Sequence, residues 1–323
     1  MNKFKFYFIL LITTVSLFSC SKDDTATYEP PRDYKVQYDV EIVDIEEYLN
    51  TNYITVINHP GFVDDQNVTI TKIDAAQPSI MSYKDADTYP KLLTKEVIQN
   101  NITYILYYLV LRPGVGDSPS NVDGVMASYR GDYLARTVAT STTVSTLTAT
   151  KFEEVIYPQY MLSLFTTISG WSETFPIFKT GTYTSNADGT ITHNDFGAGV
   201  MFLPSGLGYY NTSSGSIPAY SPLVFSFKLY ELERLDQDYD GIPSYLEDLN
   251  GDGYVRILET GVPNPDDTDK DEVPNFLDVD DDGDNYTTKL EINNLATGLP
   301  YPFADIPTCT SGNKNYLDAT CHP

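Results

Sequence analysis

Histidine, cysteine and tryptophan are scarce in this 323-residue chain. It has three histidines, three cysteines and one tryptophan, and its 20 Lys and Arg face 45 Asp and Glu. His59, His193 and His322 stand in no metal-ligand or catalytic-triad spacing. No P-loop, G-x-S-x-G or H-E-x-x-H motif occurs, which leaves hydrolase and nucleotide-dependent chemistry without a sequence basis. A net charge of −25 excludes nucleic acid as a partner, because phosphate binding needs a basic footprint. What the chain has in quantity is aromatic and acidic. There are 26 Tyr and 15 Phe, a composition that favours strands. The acid is concentrated: residues 236–291 hold 18 Asp and Glu against three basic residues, a net of −15.

The N-terminus reads as a targeting segment. Lys3 and Lys5 precede an apolar run from Phe6 to Phe18, too short to span a bilayer and suited to a secretory signal. The run ends "LFSC", which resembles a bacterial lipobox with Cys20 as the lipidated first residue of the mature chain. The following "SKDD" resembles the acidic surface-export signal of Bacteroidetes-type lipoproteins. Residues 1–19 are thus expected to be a lipoprotein signal peptide and 20–31 a lipidated tether. The expected location is the outer membrane, exposed at the cell surface, with the periplasmic face as the alternative. With Cys20 acylated, Cys309 and Cys321 remain close in sequence in an oxidising compartment, where a disulfide closing the tail is expected.

Periodicity organises the middle of the chain. Residues 34–50, "YKVQYDVEIVDIEEYLN", predict a helix with Val36, Val40, Val43, Ile45 and Leu49 mostly on one face. "VTITKI" (68–73) predicts a strand. "ITYILYYLVL" (102–111) is apolar on both parities and predicts a strand buried on both faces. Residues 125–134 and 198–204 predict further strands, and "SNADGT" (185–190) a polar hairpin. The Thr/Ser/Ala-rich stretch 135–150 reads as a loop or exposed edge, and 151–165 as a short helix or irregular segment. After Tyr209-Tyr210 and a polar loop with Ile217-Pro218, the alternation of Leu223, Phe225, Phe227 and Leu229 predicts a strand facing a core.

Three pieces together resemble FKBP-type peptidyl-prolyl isomerases, in the family's order and over roughly residues 102–232. "VMASYRGDYL" (125–134) is similar to the family's V-x-x-x-Y-x-G-x-L strand. "ISGW" (168–171) is similar to V-I-x-G-W, and residues 202–232 to the closing I-P-x-x-L-A-Y-G, flap, I-P and L-x-F pattern. The resemblance implies an α+β fold, an FKBP-like antiparallel half-barrel sheet wrapped on a short helix. It also implies a proline pocket with Trp171 as floor, Ile168 beside it, Tyr129 as wall, Tyr209 and Ile217 on the flap and Phe225 on the last strand. The expected activity is isomerisation of proline-containing segments of exported polypeptides. The alternatives are an FKBP-like module that binds without turnover, or a calcium-dependent structural or adhesive surface lipoprotein. The family's Phe-Asp, about nine or ten residues after the wall tyrosine, aligns with Val138-Ala139. On that alignment the pocket lacks an aromatic wall and an acidic group. The phenylalanine expected before V-I-x-G-W falls near Tyr160 or Leu162. Tyr210 stands where the family has a permissive glycine.

The acidic tail has its own grammar. "DQDYDGIPSYLE" (236–247) and "DLNGDGYVRILE" (248–259) fit D-x-[DN]-x-D-G-x5-E, in which oxygens at positions 1, 3 and 5 curl round calcium and Glu at 12 closes the loop. Expected ligands are Asp236, Asp238, Asp240 and Glu247, then Asp248, Asn250, Asp252 and Glu259. Two looser runs add Asp267, Asp269, Asp271 and Asp278, then Asp280, Asp282, Asp284 and Glu291. The string resembles thrombospondin type 3 repeats, whose resemblance implies structural Ca2+. The domain order is therefore read as an N-terminal extension (32–101), an FKBP-like domain (102–235), calcium-binding repeats (236–291) and a disulfide-closed tail (292–323).

Overall fold

Asp33 starts the first helix: its Oδ1 accepts from Val36 N at 3.0 Å, an N-cap for α1 (Tyr34–Thr51). The computed structural model describes residues 30–142 and 144–321; the signal and tether readings through Cys20, and the His322 position, lie outside them. The elements below all lie in one unit that begins at Asp33. The face α1 buries differs from the expected one. Val36, Val40 and Val43 are exposed, whereas Tyr38, Ile45, Tyr48 and Leu49 are buried, together with Gln37 and Glu41. Tyr38 and Tyr48 thus extend the side of Ile45 and Leu49 into the face that packs on the sheet.

After α1 come a short hairpin, β1 (Asn52–Val56) and β2 (Val68–Lys72), and then the main sheet. Its strands are β3 (Lys91–Gln99), β4 (Ile102–Arg112), β5 (Gly124–Arg136), β6 (Leu147–Val155) and the two-residue β7 (Leu162–Ser163). The short helix α2 (Ser169–Thr174) follows, then the polar hairpin β8 (Thr182–Ser185) and β9 (Ile191–Asn194), and finally β10 (Gly197–Leu203) and β11 (Leu223–Glu233). All pairings are antiparallel in the order β3-β4-β10-β11-β5-β6, with β7 on β5. The curled sheet wraps on α2, giving the α+β half-barrel that the sequence resemblance implies. Two readings shift. β3 belongs to the sheet although it precedes residue 102, and residues 151–155 complete β6 rather than forming a helix.

The sheet is buried on both sides. One face meets α2 through Tyr104, Leu106, Leu203, Phe225, Phe227, Trp171 and Phe175. The other meets α1 through Tyr107, Leu109, Val200, Phe202 and Val224. That is why β4 carries apolar residues on both parities, as its composition indicated.

Beyond β11 the chain runs through turns with little regular structure. It contains single 3₁₀ turns, a one-turn helix α3 (Thr288–Glu291) and a two-residue ladder, β12 (Asn293–Asn294) with β13 (Leu299–Pro300). Two small apolar clusters hold it: Ile242, Ile292, Ile306 and Tyr316, and Val255 and Phe276 with Val122. Cys309 and Cys321 are joined by a disulfide.

Candidate functional site

The concave side of the sheet holds a cavity of about 270 Å³ lined by Tyr129, Phe152, Glu153, Leu162, Thr166, Thr167, Ile168, Trp171, Tyr209 and Phe225. β5 presents Tyr129 and β11 presents Phe225. Ile168 stands at the start of α2, its carbonyl accepting from Trp171 N at 2.9 Å, and that turn lays the indole against the sheet. The rings meet edge to face, with Trp171 centred 4.9 Å from Tyr129 and 5.3 Å from Phe225, at interplanar angles of 86° and 89°. Gly170 permits this closeness: a Cβ there would lie 2.4 Å from Leu203 Cδ1.

Five of the six pocket residues read from the sequence line this one cavity: Tyr129, Ile168, Trp171, Tyr209 and Phe225. Ile217 does not. It is 4% exposed and packs in the core below, in a tight turn with reciprocal backbone bonds to Ser214.

Val138 is 84% exposed at the surface, and neither it nor Ala139 lines the cavity. The aromatic wall and the acidic group are nevertheless present, supplied by Phe152 and Glu153 of β6. Phe152 meets Phe225 edge to face at 5.6 Å. Tyr129 donates its hydroxyl to Glu153 Oε2 at 2.9 Å. Burial, and then that carboxylate, push the phenol well above its ordinary range. The "KFEE" string (151–154) carried the signal, but a longer loop displaced it from the family spacing. Leu162, one of the two candidates for the missing phenylalanine position, also lines the cavity, while Tyr160 is exposed.

The flap base is fastened from α1. Glu41, 2% exposed, accepts from Ser205 N at 2.7 Å, Ser205 Oγ at 2.5 Å and Gln37 Nε2 at 2.7 Å. Burial raises its pKa against these bonds. Tyr210 takes the left-handed conformation, φ +47°, that a glycine would adopt freely, and stacks on Tyr34 at 4.1 Å.

The tail touches the pocket helix. Glu173 of α2, buried, pairs with Lys95 Nζ and Arg256 Nη1, each at 2.6 Å. Lys95 and Arg256 also flank the Tyr254 ring, at 4.0 and 4.4 Å from its centre. Burial alone would raise the Glu173 pKa, but the two cations outweigh it and hold the carboxyl below its ordinary value.

Among the described residues, carboxylates converge in the groups Asp236–Asp238–Asp240, Asp267–Asp269–Asp271, Asp280–Asp282–Asp284 and Asp240–Glu247–Asp281. Asp278 stands near the second of these, its pKa raised by burial first and then by Asp271 and Asp269. Glu247 and Glu291 are buried with no hydrogen-bond partner on either carboxylate oxygen. Burial, then neighbouring carboxylates, push Glu247 up to about 11 and Glu291 to about 8. Buried carboxylates without protein partners fit an all-oxygen cation site. The second loop departs from expectation. Glu259 is exposed and joins no group with Asp248 and Asp252. Asp248 instead accepts from Gly251, Asp252 and Gly253 N, and the Asn250 amide turns to Asp266. Val255, buried and tied through its N–H and carbonyl to Asn121, draws the chain away before Glu259 can close the loop. Asp266 and Asp281, both buried, were not among the expected ligands.

A family model described as BamM C-terminal matches residues 237–316. No curated protein matches the chain. Among solved structures, the chain is similar to a peptidyl-prolyl cis-trans isomerase from Pseudomonas syringae pv. tomato, at 16% identity and a TM-score of 0.33, covering 64% of this chain and 99% of that one. It is similar to FkpA from Escherichia coli at 22% identity and a TM-score of 0.30, covering 46% of this chain and 55% of that one. For the three FKBP domains of wheat FKBP73 the identity is 14% and the TM-score 0.30, covering 44% of this chain and 50% of that one. The chain spans about half the length of the last two.

Proposed function

We propose that the aromatic cavity receives a proline ring and that the protein is a peptidyl-prolyl cis-trans isomerase acting on exported polypeptides. The observation that carries this reading is the convergence of Tyr129, Phe152, Ile168, Trp171, Tyr209 and Phe225 on one cavity. The chemistry asks little of a protein. Rotation about an X-Pro amide faces a barrier of roughly 18–20 kcal/mol, set by resonance. Holding the amide twisted and away from water lowers it, and each ~1.4 kcal/mol is a factor of ten in rate. The rings exclude water and seat the pyrrolidine. Tyr209 supplies a hydroxyl at the cavity edge, and the Tyr129–Glu153 bond fixes the wall.

The chain is further proposed to be lipid-anchored through Cys20 at the outer membrane, on the strength of the lipobox-like "LFSC". Its tail is proposed to bind structural calcium through the carboxylate groups above, which would supply the countercharge those buried oxygens need. Calcium there organises the chain and takes no part in isomerisation. The domain limits read from the sequence are carried forward with one adjustment, that the isomerase unit takes in β3.

An isomerisation assay on residues 21–323, run beside Trp171→Ala and Tyr209→Ala, tests the reading. Activity in the parent, reduced in both variants, supports it. Full activity in both overturns the pocket assignment, and proline-peptide binding without turnover reassigns the cavity to recognition alone.

A further inference from the structure

In a calcium loop of this spacing the ninth position supplies a ligand, often through water. In the first loop that position is Ser244, and its hydroxyl is engaged elsewhere: it donates to Gln237 Oε1 at 2.8 Å and accepts from Gln237 N at 3.1 Å. A carboxylate from far along the chain comes to this loop. Asp281 lies with Asp240 and Glu247 so that their ligand oxygens are all within 4.8 Å of one another. Calcium–oxygen distances of 2.3–2.6 Å allow two ligands of one ion to be at most about 5 Å apart, so the group has the dimensions of one coordination sphere.

The hydrogen bonds sort the oxygens in a way that singles out this position. Asp240, Glu247 and Asp281 are 2%, 1% and 1% exposed. Asp240 uses Oδ1 to accept from Ile242 N at 2.6 Å, leaving Oδ2 without a protein partner. Asp281 uses Oδ2 to accept from Asn275 Nδ2 at 3.1 Å, leaving Oδ1 without one. Both oxygens of Glu247 are in that condition, as a bidentate ligand requires. One oxygen of each aspartate is held by the protein and the other is kept for something else, the usual arrangement of oriented metal ligands. Among the described residues no cation forms an ion pair with any of the three.

We infer that one calcium ion is shared between the first and fourth acidic loops, held by Asp236, Asp238, Asp240 and Glu247 of the first and by Asp281 of the fourth. This rests on the proposal that the tail binds calcium, and it changes what the ion does. Four separate loops would each organise about a dozen residues. A shared ion ties residues 236–247 to the segment of Asn275 and Asp281, beside the cluster in which Ile242 meets Ile292 and Tyr316. The ion is then a cross-link that sets the tail's tertiary structure. Asp281 is invisible to the loop pattern because it falls between the ligand positions Asp280 and Asp282.

Native mass spectrometry of the full chain in calcium counts the ions. Asp281→Asn and Glu247→Gln should each lose one ion, or weaken one at least tenfold, and the double variant should lose the same single ion. Loss of two ions in the double variant, or an unchanged count at parental affinity in Asp281→Asn, overturns the shared site while leaving calcium binding by the tail intact. A parent chain that takes up no calcium removes the broader proposal and this one with it. Hydrogen exchange offers a reading that leaves Asp281 itself unaltered. In Glu247→Gln with calcium present, exchange across residues 274–282 should speed at least tenfold, and unchanged exchange there overturns the shared ion.

Discussion

Gly131 and Phe152 face each other across β5 and β6, and a Cβ on Gly131 would lie 2.3 Å from Phe152 Cζ. The glycine is the seat of the pocket's aromatic wall. No side chain fits beneath the far end of the ring, which meets Phe225 edge to face.

Gly131→Ala should therefore evict Phe152 rather than disturb the strand. Overpacking of this kind costs about 1–3 kcal/mol. Isomerase activity or proline-peptide affinity should fall to nearly that of Phe152→Ala, and the double variant should be no worse than Phe152→Ala alone. Denaturant titration and the isomerisation assay read the two effects separately. A Gly131→Ala protein with parental affinity would show that Phe152 is not held there.

Trp171→Ala should cost both stability and function. The indole is 4% exposed and touches Tyr129, Phe175 and Phe225, so truncation should lower the unfolding free energy by about 3–5 kcal/mol. Trp171→Phe keeps a ring and should recover most of the stability, leaving activity as the discriminating readout.

Tyr210→Gly sets two effects against each other. A left-handed conformation costs a non-glycine residue about 1–2 kcal/mol, which glycine would recover. The ring it removes is 8% exposed and stacked on Tyr34, and losing such a ring costs about 3–5 kcal/mol. The variant should be less stable by about 1–4 kcal/mol on balance. A gain in stability on thermal denaturation would show that the stack contributes little.

The seam between tail and pocket helix should be acid-sensitive. Folding holds the Glu173 carboxyl below its ordinary value of 4.5, so its contribution is fully present above that value and is lost as pH falls through the lower folded value. Glu173→Gln should lower stability by about 2 kcal/mol at neutral pH, less than a fully buried pair because the Arg256 side chain is partly in water. The gap between parent and variant should stay constant from pH 6 to 8 and begin to close as pH falls below the ordinary value of 4.5. A gap that persists into acid would place the energy elsewhere.

Calcium removal should act on the tail and not on the sheet. At a free concentration a hundred times the dissociation constant, each ion adds about 2.7 kcal/mol to the state that binds it. A chelator should open residues 236–291 to proteolysis while the sheet's amides stay protected. Equal protection with and without chelator would remove calcium from the account of the tail.

The sequence showed those parts that obey a short period or a fixed spacing. β4 announced its double burial because apolar residues stand on both of its parities. Tyr129, Trp171 and Phe225 were visible because each sits at a set place inside a continuous element, and Tyr209 because it opens the loop that leads to Ile217-Pro218. Phe152 and Glu153 were hidden because the Thr-rich stretch 135–150 separates them from Tyr129 along the chain, while the pairing of β5 with β6 sets them beside it. The buried face of α1 was misread because period alone does not weigh Tyr against Val. The second acidic loop matched its pattern and still did not close, since Asn121 and the apolar neighbours of Val255 fix the chain from outside the motif.

The bond from Ser205 N to Glu41 spans 164 residues of sequence. A ribosome, or an export channel threading the chain from its N-terminus, delivers α1 long before β10 and the flap base exist. Until they arrive, Tyr38, Ile45, Tyr48 and Leu49 have no complete sheet to cover and Glu41 has no serine to cap. The helix that begins the folded unit is thus among the last parts to find its full set of contacts. A chain released early, anywhere before residue 205, would present that apolar stripe to whatever receives it.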